Sequence, residues 1–128
     1  MADDTIQSTA NRVESPHRLI ASNRVEGTAV YGRDGEKLGR IEYFMVDKVS
    51  GQVAYAVLSF GGLFGLGDDH YPLPWGVLDY DVERGGYAVD LDRETLKTGP
   101  NFKAGGEPDF DEDYGRRVYQ YYGVEYFI

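Results

Sequence analysis

The sequence predicts one mainly β domain of short antiparallel strands, and three observations carry that reading. Strand-like segments and turns alternate at hairpin spacing from Thr28 onward. The 128 residues include 17 Gly and 11 Tyr, a bias toward turns and pleated strands over helices. In the segment QVAYAVLSF, residues 52–60, Val53, Tyr55 and Val57 alternate with Ala54, Ala56, Leu58 and Phe60, so both faces are apolar. A strand of that kind is central, or it lines a closed barrel and is covered on its other side. The length suits a single core.

Each element follows from local chemistry. Residues 1–18 are polar and without period, and are expected to form a flexible tail. TAVY (28–31) and KLGRIEYFMVD (37–47) flank the turn GRDG, in which Asp34-Gly35 is a strong hairpin signal because glycine accepts the positive φ of tight turns. KVSG (48–51) turns the chain into the doubly apolar strand. Beyond a glycine-rich stretch, HYPLPW and VLDYDVE read as short strands, and ERGG (83–86) returns the chain into YAVDL. Pro72 and Pro74 restrict their strand to an edge or an irregular position. Asp92 is placed to cap a short helix, DRETLK, that stops at Gly99-Pro100. Residues 109–123 read as a second helix with acids in its first turn, Tyr114, Val118, Tyr121 and Tyr122 on one side, and Gly123 past its end. Gly115 inside it costs about 1 kcal/mol relative to alanine.

Composition excludes several functions. The net charge of −9 opposes nucleic-acid binding, which draws its affinity from basic patches. The absence of cysteine removes disulfides, thiolate nucleophiles and cysteine-held metals. The acidic, polar start is unlike a secretory signal, so a cytoplasmic location is expected. The uncharged, largely apolar stretch Gln52 to Gly67 is shorter than the ~20 residues of a spanning helix and is interrupted by glycines, so no membrane insertion is expected.

The segments LIASNRVEGTAVYGRDGEKLGRIEYFMVDKVSGQVAYAVLSFGG, PLPW and YAVDLDRETLKTGPNF together resemble the PRC-barrel family, named for the photosynthetic reaction centre H subunit. The resemblance spans Leu19 to Phe102. It implies a small, strongly bent antiparallel β-barrel, here with a short helix after the last strand and a C-terminal helix. It does not imply an enzyme, and no cofactor is expected. The organisation expected is a tail over 1–18, a barrel over 19–102, and a linker with an aromatic helix and tail over 103–128. The sequence lacks the membrane helix of the H subunit. It also has no room for the companion domain of the ribosome-maturation factor that carries the same barrel. What remains is similar to the stand-alone bacterial type. An accessory role in ribosome maturation or photosynthetic membranes rests on that likeness alone.

The stretch SFGGLFGLGDDHYPLPW, residues 59–75, raises the question of a phosphate loop. Asp68 and Asp69 stand where a Walker loop needs lysine and a hydroxyl, and the prolines forbid the following helix. A dinucleotide fingerprint lacks its third glycine. The stretch is a corner between strands. Its apolar residues Leu63, Phe64 and Leu66 either fold over the barrel's own mouth or C-terminal helix, or form a patch for self-association or a partner. Asp68, Asp69 and His70 fall short of a zinc site, since the only other imidazole is His17 in the tail. Asp109, Asp111 and Asp113 have the spacing of a calcium loop without its glycine and glutamate. Tyr119, Tyr122, Tyr126 and Phe127 supply the amphipathic rings enriched at interfaces, and they dock either on the barrel's own outer face or on a second subunit. With Trp75, these are the interaction candidates. The function expected is a non-enzymatic interaction module, self-associating as a dimer or docking on a protein partner. The alternative is a small-molecule binder or enzyme at a barrel mouth near Asp68, Asp69, His70 and Trp75.

Overall fold

The structure, a computed structural model, describes residues 18–59 and 69–126. Most of the N-terminal tail, the glycine-rich corner with Leu63, Phe64, Leu66 and Asp68, and Phe127 lie outside the described residues. A helical turn, α1 (Ser22–Val25), precedes β1 (Ala29–Tyr31), β2 (Lys37–Val46), β3 (Val53–Ser59) and β4 (Asp69–Pro74). A 3-10 turn at Trp75–Val77 leads to β5 (Asp79–Asp81) and β6 (Gly86–Ala88). Then follow α2 (Arg93–Lys97), β7 (Phe102–Lys103) and α3 (Glu112–Tyr121). The strands form one seven-stranded sheet in the order β5-β6-β1-β2-β3-β4-β7.

Two of the hairpins are turned by the same chemistry. Asp47 accepts hydrogen bonds on its carboxylate from the Val49 and Ser50 amides, while Gly51, at φ +80°, returns its own N–H to the Asp47 carbonyl. Asp81 does the same for Glu83 and Arg84, and Gly85 at φ +67° closes that turn. In each turn an aspartate satisfies amides the ladder leaves free, and a glycine four residues later accepts the left-handed backbone. The two amide hydrogen bonds also hold the Asp47 carboxyl below its ordinary range.

The sheet curls around a core that draws Val30 from β1, Leu38 and Ile41 from β2, Ala56 and Leu58 from β3, Tyr71 and Leu73 from β4, Tyr87 from β6 and Leu96 from α2. Irregularities in β2 between Ile41 and Tyr43 and between Met45 and Val46 let this long strand bend. Trp75 packs against rings from β2 and β6, its ring 6.2 Å from Phe44 and 5.5 Å from Tyr87.

The antiparallel expectation needs one correction. β1 and β6 pair in parallel through Val30 with Tyr87 and Tyr31 with Ala88. The 3-10 turn and the β5–β6 hairpin carry the chain back beside β1 in β1's own direction. The edge expectation for the prolines holds, because β7 pairs with β4 only at Asp69 and His70, leaving Pro72 and Pro74 paired on the β3 side alone.

Gly51→Ala is expected to destabilise the fold by about 1–2 kcal/mol, because a Cβ at positive φ is strained. Gly76→Ala, with no positive φ and open space around it, is expected to be neutral or slightly stabilising. Urea unfolding of the two variants beside the parent chain checks both.

Candidate interaction surface

β3 has a second face, and the chain covers it itself. Register puts Tyr55 and Val57 opposite Pro74 and Pro72 of β4, and opposite Met45 and Tyr43 of β2. Over this outer face lie Phe110, Tyr114, Val118, Tyr119 and Tyr122, in a second apolar cluster with Ala54, Tyr55 and Met45. Tyr55 and Tyr119 are nearly buried, and the Tyr119 hydroxyl donates to the Ala54 carbonyl at 2.6 Å.

Local sequence sets α3 in place. Asp111 caps it by accepting from the Tyr114 amide, and Glu112 and Asp113 suit the positive end of the helix. Its C-terminus is a Schellman motif: Gly123, at φ +72°, donates to the Gln120 carbonyl, and Val124 donates to that of Tyr119. This reversal folds Tyr126 back onto the helix, edge-on to Tyr119 at 5.2 Å and beneath the Arg116 guanidinium at 5.7 Å. Gly115 is required there, since a Cβ at that position would stand 2.3 Å from the Tyr126 ring. A second close approach occurs at Gly99 after α2, where a Cβ would meet the Tyr121 ring at 2.8 Å and the Tyr122 hydroxyl at 2.9 Å. Tyr121 donates to the Thr95 carbonyl at 2.6 Å, joining α3 to α2.

An aromatic chain runs across this seam. His70 stands edge-on to Tyr43 and Phe102, Phe102 to Phe110, and Phe110 contacts Tyr55 and Tyr114. Such pairs contribute roughly 0.5–1.5 kcal/mol each beyond area burial. Burial and the neighbouring Tyr126 push the Tyr119 hydroxyl up to about 12, and burial raises Tyr55 and Tyr122 as well.

The sequence candidates therefore fall in different places. Tyr119 is spent on the chain's own sheet, Tyr122 is half-buried beside it, and Tyr126 is half-buried against the helix. Trp75 packs on the main core. Within one chain the aromatic helix docks on the sheet's own outer face. The constellation for a barrel-mouth site does not assemble among the described residues. His70 lies near the start of six-residue β4 and Trp75 just past its end, roughly 17 Å apart along an extended strand. Asp69 pairs with Lys103 at 2.6 Å, and His70 is buried between rings. The main core is filled, with Val30, Leu38, Ile41, Leu58, Leu73 and Leu96 all at 0–1% exposure. An open groove of about 400 Å³ beside Tyr126 has one charged lining side chain, Arg116, already paired with Glu112. Exposed apolar residues that sequence reasoning missed sit on hairpins: Val46 and Val49 near the β2–β3 turn, and Tyr80 and Val82 at the β5 edge. An apolar residue inside a four-residue turn, as in KVSG, was the available signal for Val49.

The PRC-barrel domain model matches residues 17–96, more than half of the chain, and the chain belongs to that family. No curated protein matches it. Among the described residues no helix is long and apolar enough to cross a membrane.

Tyr119→Phe is expected to cost about 1 kcal/mol, since it leaves the Ala54 carbonyl without its donor. Gly115→Ala is expected to release Tyr126 while leaving the barrel folded, read as loss of the Tyr119–Tyr126 ring contact by NMR. A raised tyrosine favours the neutral form in the folded state. The outer-face stabilisation is therefore complete below the ordinary value of 10.0 and lost as pH rises through about 12. Tyrosinate absorbance should rise in step with loss of α3 structure in that window; full ionisation near pH 10 with α3 intact would contradict it.

Proposed function

We propose that this PRC-barrel protein is a non-enzymatic interaction module, cytoplasmic, that pairs with a second copy of itself. The observation that carries the reading is the filled interior. Six side chains at 0–1% exposure occupy the centre of the fold, which supports a role exercised at its surfaces. The sequence carries apolar Leu63, Phe64 and Leu66 in the β3–β4 connection, which hairpin chemistry does not require, and Val49 and Tyr80 are exposed on turns and edges. Apolar groups of that kind mark contact surfaces. A two-fold arrangement covers one patch twice with a single interface.

The test is solution mass by light scattering on the intact chain beside a variant carrying Leu63→Ser, Phe64→Ser and Leu66→Ser. The reading expects a dimer and a folded monomer respectively. Two folded monomers would remove the β3–β4 connection as an association surface.

A further inference from the structure

We propose that α3 is an exchangeable arm: two copies pair by each docking its α3 on the outer sheet face of the other. The proposal rests on the self-association reading above and adds α3 exchange to the contact at the β3–β4 connection.

The arm is separable from the barrel. Most of its contacts form a second cluster beside the main core, with Tyr122 touching both, and the family match ends at residue 96, before the arm begins. The eight residues 104–111 connect β7 to α3, and Ala104 to Glu107 are exposed. Extended, eight residues reach roughly 27 Å, enough to cross to a neighbouring molecule. At present the connection turns back on itself, with Gly105 at φ +85° and the Gly106 amide donating to the Lys103 carbonyl.

Strain sits in this hinge. Phe110 is the one non-glycine residue at positive φ among the described residues, at 54°, immediately before the Asp111 cap. A bulky residue there is an outlier that persists only because its surroundings hold it, here the rings of Tyr55, Phe102 and Tyr114. An extended hinge releases that conformation, and short hinges under strain favour exchange.

The occupant of the vacated face is fixed by its shape. Gly99 admits the Tyr121 ring and the Tyr122 hydroxyl at distances a side chain would block, and the Thr95 and Ala54 carbonyls await the Tyr121 and Tyr119 hydroxyls. A second copy's α3 supplies every one of these groups in register, so exchange regenerates the interface and adds only the new hinge path.

The decisive experiment mixes isotope-labelled and unlabelled intact chains under exchange-permitting conditions and records isotope-filtered NOEs between the Tyr119 and Tyr55 rings, whose centroids lie 5.8 Å apart. A doubled solution mass with intermolecular Tyr119–Tyr55 cross-peaks is expected. A dimer in which those cross-peaks are only intramolecular overturns the exchange and leaves self-association standing. A monomer at every concentration overturns both. Removing Gly105 and Gly106, which denies the hinge its turn, is expected to shift the chain further toward dimer; a folded monomer with α3 docked would overturn the proposal.

Discussion

Burial of β3 on both faces is the constraint from which the rest of this structure follows. Its inward residues Ala56 and Leu58 belong to the core shared with β1, β2, β4 and β6, while Tyr55 faces the cluster under α3. A small curled sheet can bury only one face within itself. The other must find a cover, and here the cover is the chain's own continuation. The family-matched segment ends at residue 96, so the covering layer lies beyond it.

That layer is built for close approach more than for bulk. Gly99 and Gly115 lie where tyrosine rings come within the space of a methyl group, one between α2 and α3 and one between α3 and its returning tail. The rings meet mostly edge-to-face, the arrangement favoured by the aromatic quadrupole. Tyrosine gives this seam its mixed character. Tyr119 and Tyr121 tie α3 to backbone carbonyls, while three buried hydroxyls make no hydrogen bond and weaken the same interface.

What was legible in the sequence was local. Asp34-Gly35, the KVSG and ERGG turns, and the Asp92 cap all depend on residues within four positions of one another, and each appears as read. The doubly apolar alternation of residues 52–60 announced a covered strand without naming the cover. Contacts between distant segments were hidden. The parallel β1–β6 pair, the two-residue β7 and the lodging of Trp75 between Phe44 and Tyr87 join segments whose meeting no local pattern encodes. Gly115 shows the difference well: propensity registers only its cost to the helix, whereas the fold reveals the tyrosine that needs the space.

The central claim is that α3 and its tail are a structural layer of the barrel. Truncation after Pro108 tests it most directly, with light scattering and urea unfolding on the shortened chain. Loss of the layer predicts a protein that aggregates or is markedly less stable, because the Tyr55 and Val57 face of β3 is laid open to water. A truncated chain that stays monomeric and unfolds at the same urea concentration as the parent would contradict the account.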